Sequence, residues 1–542
     1  MRTGERDPRA TDAIDGWSEL KGARSRHEAD WDETQKLILA RPGSFGMGTV
    51  QDWRREKPIS AAAHIAAQNM SAGIYGTLTN PANRWFALGV PDQALKHWQP
   101  MREWLDLAGR RTLASFAPGT SPFYPSAMQA FLDTTCLGNA AHYSERPPGE
   151  RAILDITLSL AEVCFEVDAF GRVTEVIRKF RLSPVAAAHQ FGIKALPPRL
   201  AQQAEKGSRD RVDFYHHVKR NHAFQAGRLG PTGKRWSSIY VAEEGGTVLR
   251  HSGYDEMPFH APRWQVDTGE VYARGQAFIA LSAARRIDLM GRANLRAGQQ
   301  AADPIMIAPD KETIPLAGRF RPGSTVYGGM SAGGRRLVEP LNTFQGTGLS
   351  LEMEQYAVDE VRDAFHWSLM NLAGRTGMTA TEVIERQEEK LRLMAPHMGR
   401  LQEEFLAPKI AQRFALLFKA GQIPPPPPEA AGMELQVEYT SAASMAAKSA
   451  EGAAIVRLLA DLTPLADIKP EVMDRISPDD AVERLAEARG VPAEVLTSRQ
   501  EAAQLREQRA EAQQAAQALE AAQAGGGVAR DLGAAGLLEG AA

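Results

Sequence analysis

Apolar residues recur at steps of three and four along some stretches of this chain and gather in short β-branched and aromatic runs along others, and the two patterns divide it. Residues 58–145 follow the helical period. Ile59, Ala63, Ile65 and Ala66 lead to Met70, a break falls at Leu78-Thr79-Asn80-Pro81, and Leu95, Trp98, Met101, Trp104 and Leu105 resume the pattern. A Gly/Pro/Ser loop at 118–125 precedes a further helical stretch, Ala127–Leu137. From about 150 the chain turns β-branched and aromatic, in Ile153–Leu160, Val163–Val167 and Val173–Phe180, with Asp168-Ala169-Phe170-Gly171 as a hairpin turn. Arg211–Val218, Trp236–Glu243 and Thr247–Ser252 extend the series, the last two joined by Glu244-Gly245-Gly246. Residues 1–30 are charged and show no such period, which predicts a loose or partly helical arm. The expected class is α+β, a helical part (58–145) followed by a mainly antiparallel sheet (150–265).

A long helix is expected next, over about 274–302. At 100° per residue, Arg274, Arg285, Arg292 and Arg296 fall within about 40° of one line. Ile279, Ala283, Ile287, Met290, Ala297 and Ala301 fall opposite. Residues 303–347 hold short strand-like pieces (Ile305–Ala308, Ser324–Tyr327, Arg336–Val338) among many glycines and prolines, which suits a small β module or a mobile loop. A second long helix, about 349–373, carries Met353, Ala357, Val361, Ala364, Phe365 and Leu372 on one face and Glu352, Asp359 and Asp363 on the other. One helix thus bears a basic stripe and the other an acidic one. Two readings of the basic stripe stand: ion pairs with the acidic stripe or with a neighbouring subunit, or a surface facing phosphates.

Gly374-Arg375-Thr376-Gly377 interrupts the helices, as a plain turn or as a loop projecting into a channel. Thr379-Ala380-Thr381-Glu382 is a capping box that starts a helix to about 419, with Ile384, Leu391, Met394, Met398, Leu401 and Phe405 as its seam. Pro396 and Pro408 should kink it. Pro424–Pro428 is a stiff spacer, Met433–Tyr439 a strand, and helices are expected at 441–462, 478–489 and 498–523 before a Gly/Ala-rich tail from Gly525 that reads as disordered.

Composition changes this picture little. The 542 residues suffice for two or more cores. A net charge of −3 argues against a protein that coats nucleic acid with a basic face, but not against one that lets DNA slide past. Cys136 and Cys164 form no C-x-x-C pattern, so no zinc or redox site of that kind is expected. The polar N-terminus shows no secretory signal, and no apolar run suits a bilayer, so a soluble chain made in the cytoplasm is expected.

Catalytic chemistry finds no footing. Gly230-Pro231-Thr232-Gly233-Lys234-Arg235 resembles the end of a phosphate-binding loop, but position 228 is Arg and no Ser or Thr follows the lysine. His216, His217 and His222 are the densest potential metal ligands, yet neighbours in a strand point to opposite faces. No catalytic, metal or cofactor residue is assigned, and no cofactor is expected.

Several local pieces occur in a telling order: Leu78-Thr79-Asn80-Pro81 with Trp85-Phe86, then Val173-Thr174-Glu175-Val176, then Pro262-Arg263-Trp264 and Gly269-Glu270-Val271-Tyr272-Ala273-Arg274-Gly275. Ala302-Asp303-Pro304-Ile305, Met378-Thr379-Ala380-Thr381-Glu382-Val383 and Tyr439-Thr440-Ser441 follow. In sequence and order these resemble the head-to-tail connecting, or portal, proteins of short-tailed, podovirus-type bacteriophages, over about residues 60–500. Leu435–Ser444 departs from the family's usual leucine and alanine pattern.

The resemblance implies a portal fold. Residues 1–30 would be an N-terminal arm, and 31–270 with 380–423 the wing. Residues 271–302 and 348–373 would be stem helices, 303–347 the clip, 374–379 the tunnel loop, and 424–524 a strand and the helical crown, ahead of the tail 525–542. It implies a ring of about twelve subunits with cyclic symmetry, set at one capsid vertex of the virion after assembly in the host cytoplasm. Double-stranded DNA would pass through it in packaging and ejection. Arg375, Thr376 and Met378 would line the channel, and Arg335 and Arg336 would dock partners at the clip. The implied partners are further copies of itself, the terminase large subunit, a tail adaptor, and the major capsid and scaffolding proteins, with no membrane and no enzymatic activity. Charge reversal at Arg292 should disturb the ring more than packaging. The alternatives are another phage structural protein, such as a capsid or tail-tube subunit, or a cytosolic enzyme with an unrecognised site.

Overall fold

A computed structural model describes residues 7–41, 58–92, 95, 98–147, 152–302, 306–307, 331–335, 339–340, 347–370, 392–430, 432–433, 435–439, 452–464, 469, 476–489, 491, 495–497 and 501–517. The chain forms two compact units, one of residues 1–83 and 114–416, the other of 84–113 and 417–542.

The first unit is α+β. Its centre is an antiparallel sheet of five strands in sequence order, β3 (Val163–Val167), β4 (Val173–Leu182), β5 (Val212–Arg220), β6 (Trp236–Ala242) and β7 (Thr247–Tyr254). Alternation sets both faces. Ile177, Tyr215, Ile239 and Val241 point to one side, where they pack with Cys164 against α1 (Pro8–Leu37) through Ala10, Ala13 and Trp17. Phe180, Phe214, Tyr240, Ala242 and Leu249 point to the other, under α4 (Pro184–Phe191) and α5 (Pro198–Glu205), which contribute Ala187 and Leu200. The Asp168 turn forms as expected: its carboxylate accepts from the Phe170 and Arg172 amides, both at 2.9 Å.

Residues 8–37 are a single helix, more regular than the loose or partly helical arm expected of residues 1–30. Asp7 caps it by accepting from the Arg9 amide at 2.9 Å, with Pro8 in the first turn. Its buried positions, 10, 13, 17, 24, 27, 31, 34 and 35, step by three and four or their sum as far as 34, but polar Arg24, His27, Thr34 and Gln35 occupy four of them. The buried Arg24 guanidinium donates to the Leu160 and Val163 carbonyls and to Glu28, so the helix hides its period behind satisfied charge. Helices α4 and α5 are likewise absent from the sequence-based expectation, although Ser183-Pro184 supplies an N-cap and a first-turn proline.

Helices α2 (Ala62–Leu78) and α3 (Phe123–Leu137) pack together beside a three-stranded sheet, β2 (Leu154–Leu158), β1 (Ala141–Glu145) and β8 (Phe259–His260). Two long helices follow, α6 (Gln276–Ala302) and α7 (Thr347–Ala364), and between them Met306–Ile307 pairs with Glu339–Pro340. The helix through residues 392–401 continues into α8 (Ala407–Lys419) by way of a wider π turn, Gln402–Leu406, directly before Pro408. There Ala407 bonds back to the Gln402 carbonyl, which is how the helix accommodates a proline.

In the second unit, Phe86–Gly89 pairs antiparallel with Gln436–Tyr439, Phe86 opposite Tyr439. Two signature pieces some 350 positions apart are therefore strand partners. The Trp104 indole donates to the Pro424 carbonyl at 2.9 Å, which fixes the start of the polyproline run. Helix Pro478–Ala488 and residues 501–517 are joined by Asp479 and Arg506.

Candidate assembly and nucleic-acid interface

The signature residues 262–275 build the root of α6. Gly138 ends α3 in the left-handed region (φ 85°), and a Cβ there would lie 2.3 Å from the Ala273 carbonyl oxygen. A Cβ on Gly275 would lie 2.3 Å from the Cys136 carbonyl. Only glycine lets these backbones touch. Asn139 closes the junction, accepting from the Ala273 amide at 3.0 Å and donating to its carbonyl at 2.9 Å. Buried Arg263 pairs with Glu404 at 2.8 Å and reaches the Gly171 carbonyl, tying the root to the helical segment before α8 and to the sheet. Trp264, also buried, stacks on His397 at 4.2 Å and donates to Gln276 at 3.2 Å. Gln276 in turn meets His366, which breaks the end of α7 at φ 50°. Burial holds the pKa of both histidines below the ordinary value.

From this root α6 and α7 run antiparallel. Arg286 pairs with Glu360, and further along Asn294 donates to Glu354 at 2.7 Å and accepts from Ser350 at 2.6 Å. The buried side of α6 is Ala277, Ala280, Leu281, Ala284, Ile287 and Gly291, a strip rotated from the expected one. Ala283 and Ile287 are buried as expected, but Ile279 is exposed, because α6 packs against α1 and α3 as well as α7. On α7 the buried seam runs through Ala357 and Val361 to Phe365, and Met353 is exposed.

The basic stripe survives in altered form. Arg285, Arg292 and Arg296 stay together on the face of α6 turned away from α7, while Arg274 lies in the root just before the helix. Glu352, Asp359 and Asp363 are exposed on the side of α7 away from its seam. The two stripes do not pair with each other among the described residues. Arg274 pairs with Asp267, Arg285 with Glu33 of α1, Arg292 with Asp288 at 2.8 Å, and Asp359 with Arg362 at 3.2 Å. Neither Arg296 nor Glu352 is ion-paired to another described residue. Phe278 and Leu289 interleave the basic edge, and Leu349 and Tyr356 the acidic one; Leu289 is 67% and Tyr356 71% exposed. The hairpin therefore has a basic outer edge and an acidic outer edge on opposite sides, each studded with exposed apolar groups.

Arg335 is exposed, in a tight turn where the Ser331 amide donates to its carbonyl at 2.8 Å. Arg336, Arg375, Thr376 and Met378 lie outside the described residues.

Sequence reasoning missed a buried ion cluster. Asp155 on β2 accepts from Lys409 and Arg413 of α8 and from Ser121 and Ser144, and all three charged side chains are buried. The two cations keep the Asp155 carboxyl far below its usual range despite burial. One carboxylate cannot balance two cations, and desolvation lowers Lys409 to about 7. The same burial, with excess positive charge nearby, holds His260 down to about 3 and His142 well below its ordinary value. A signal existed: the seam through Leu401 and Phe405 continues, at steps of four, to Lys409 and Arg413.

The histidines of β5 lie on opposite faces. His216 stacks on Tyr240 at 3.9 Å, and His217 pairs with Glu175 at 2.6 Å. No group of three or more potential metal ligands occurs among the described residues. Both cysteines are buried, which pushes the Cys136 thiol up to about 12 and the Cys164 thiol up to about 11, so neither is an active nucleophile. Residues Pro231–Gly233 form one turn of 3₁₀ helix, and Lys234 binds Asp255 at 2.6 Å in place of any phosphate grip. No helix among the described residues is long and apolar enough to cross a membrane.

The chain is similar to curated proteins over nearly its whole length. The portal protein of Salmonella phage epsilon15 is 28% identical over 528 residues, covering 94% of this chain and 92% of its own. The probable portal protein of Bordetella phage BPP-1 is 26% identical over 525 residues, covering 92% and 91%. Among solved structures, a chain from the virion of a native gene transfer agent particle covers 77% of this chain and 86% of its own, at 11% identity and a TM-score of 0.36. The family model described as bacteriophage head to tail connecting protein matches residues 10–496, which span the sheet, the root, the hairpin and the paired signature strands. This chain belongs to the bacteriophage head to tail connecting protein family.

Proposed function

We propose that this chain is the subunit of a portal ring, which sits at one capsid vertex and conducts double-stranded DNA during packaging and ejection. The observation that carries the ring is the pair of opposite edges on the α6–α7 hairpin. The register that sets Arg286 beside Glu360 and Asn294 beside Glu354 also sets Arg285 level with Asp363 and Arg296 level with Glu352. Both pairs are eleven residues apart, about three helical turns. Copies related by rotation about an axis parallel to the hairpin stand at equal height. The basic edge of one then meets the acidic edge of the next, rung for rung, and the contact closes head to tail. The exposed apolar groups between the rungs are buried by the same contact.

The hairpin is the stem in this reading, the sheet unit the wing, residues 303–347 the clip and 374–379 the tunnel loop. Terminase and, later, a tail adaptor dock at the clip, where Arg335 and Arg336 stand, and the major capsid and scaffolding proteins surround the ring. Arg375, Thr376 and Met378 face DNA. ATP hydrolysis belongs to the terminase, since this chain builds no phosphate-binding loop at 230–235. Assembly takes place in the host cytoplasm.

The test is a charge swap read by sedimentation and by end-on electron-microscope views. Wild-type chain forms rings of about twelve copies. Arg296→Glu sets two carboxylates against each other at every interface and leaves small species. Adding Glu352→Arg to the same chain restores the rings. Rings that survive Arg296→Glu at low salt, or a double variant that forms no more rings than the single, would overturn the rung pairing.

A further inference from the structure

The end of the five-stranded sheet carries a basic loop that the portal reading leaves without a task. No Asp or Glu occurs between Asp213 and Glu243, while Lys219, Arg220, Arg228, Lys234 and Arg235 do. Strand pairing places this loop. Glu175 lies opposite Lys219, Arg220 opposite Trp236, and Trp236 opposite Tyr254. The Asp168–Gly171 turn and residues 221–235 therefore project from the same end.

The loop is built, not slack. The Asn221 amide donates to the Arg235 carbonyl at 2.8 Å, and its side chain donates to the Pro231 and Lys234 carbonyls at 3.0 and 2.8 Å. Gln225 donates to the Thr232 carbonyl at 2.8 Å. A Cβ on Gly233 would overlap the Arg228 carbonyl, so only glycine closes the loop there. This frame holds Arg228 and Leu229 at the tip, with Leu229 97% exposed. Phe224 is exposed on the same loop, and Phe170 is 85% exposed on the neighbouring turn under the Arg172 guanidinium. Folding gains nothing from holding such apolar groups in water.

Three of the local carboxylates are already taken, and Glu256 lies near Arg235. Lys219 binds Asp12 at 2.6 Å, Lys234 binds Asp255, and Arg172 binds Asp168. Arg220 and Arg228 are exposed, and neither is ion-paired to another described residue. Two exposed guanidinium groups on a braced loop, beside apolar tips, suit a surface of phosphates with apolar sugar and base edges between them. We propose that the 219–235 loop, with Phe170, is a sequence-independent contact for the backbone of duplex DNA on the outside of the subunit, apart from any channel. The choice of duplex DNA as the polyanion rests on the DNA-conducting role proposed above.

A relaxed, covalently closed circular duplex tests this, because it cannot thread a closed ring and so reports outer contacts alone. Full-length wild type should retain the circle in a filter assay, with affinity falling steeply as salt rises. Arg220→Glu with Arg228→Glu should bind at least about tenfold more weakly at low salt, and the salt slope should fall by about two for each loop engaged. Leu229→Ala should weaken binding without changing that slope. Matching thermal midpoints and end-on views of each variant keep folding and ring formation as separate readouts. Circle binding that depends on Arg220 and Arg228 in a sample without rings upholds the loop contact and sinks the ring. Rings that ignore the circle, bind it regardless of both arginines, or prefer polyglutamate to it overturn the loop contact and leave the ring standing.

Discussion

Two sets of charges in this chain obey opposite rules. The Asp155–Lys409–Arg413 cluster lies in the interior, closed by two serine hydroxyls and with aromatic rings beside its cations, Arg413 over Phe116 and Lys409 over Phe123. The hairpin edges lie at the surface, where Arg285 and Arg292 are paired within the subunit and neither Arg296 nor Glu352 is ion-paired to another described residue. In the interior a missing partner is expensive because no water replaces it, so the cluster fixes β2 against α8. At the edges water and salt stand in for any partner, so the charges contribute little to the subunit and remain free to choose a neighbour. The first arrangement specifies a fold and the second leaves a surface available for assembly.

Breaking the interior should produce the largest effect. Asp155→Ala leaves Lys409 and Arg413 buried without a counter-ion, and should cost about 3–5 kcal/mol. The expected outcome is a large fall in thermal midpoint and in soluble yield. A midpoint within two degrees of wild type would show that water reaches the cluster, and the comparison above would fail with it.

Lys409→Met sharpens the same point through pH. Lys409 titrates near 7 when folded and near 10.4 when unfolded. Between those values the unfolded chain holds the extra proton, so wild-type stability should rise with pH, by up to about 1.4 kcal/mol per unit. The penalty of a second buried cation is fully present below pH 7 and is relieved above it. The methionine variant has no such slope, so its advantage over wild type should be greatest at or below pH 7 and should shrink by pH 9. Parallel profiles from pH 7 to 9 would refute the surplus-cation account. On the acid side the lowered values of His142 and His260 work in the same direction: the unfolded chain takes up protons below about 6.5 that the folded chain refuses. Stability should therefore fall as pH drops through that range.

The same contrast explains what could be read from the sequence. The strands of the central sheet were legible because a sheet covered on both faces is rich in β-branched and aromatic residues, and Asp168-Ala169-Phe170-Gly171 needs little context to turn. The charge edges were legible because surface charge on a helix costs little to place and keeps its period. The full length of helix α1 was not, because Arg24 and His27 occupy seam positions and read as surface until Leu160, Val163 and Glu28 are seen to satisfy the arginine. The interior cluster escaped for the same reason. Lys409 and Arg413 continue an apolar seam, but only the fold brings Asp155, some 250 positions earlier, between them. The rotation of α6 was hidden too: alanine fits either face, and contact with α1 and α3 decided which one was buried.

The smallest expected effect lies at Arg292. Sequence alone made it the residue to reverse, but it is already held by Asp288 one turn back, at 2.8 Å. An i,i+4 helix pair of this kind, here partly buried, contributes about 0.3–0.5 kcal/mol, so Arg292→Ala should move the thermal midpoint only a little. Its effect on assembly should also be smaller than that of Arg296→Glu, because Asp288 already offsets its charge on the edge. Arg296 has no such neighbour among the described residues and stands level with Glu352 of the next copy in the proposed ring. Ring yield across a salt series separates the two. If Arg292→Ala dissolves rings at a salt concentration where Arg296→Ala leaves them intact, then the rung lies at Arg292, and the register drawn from Arg286 and Asn294 shifts by one helical turn.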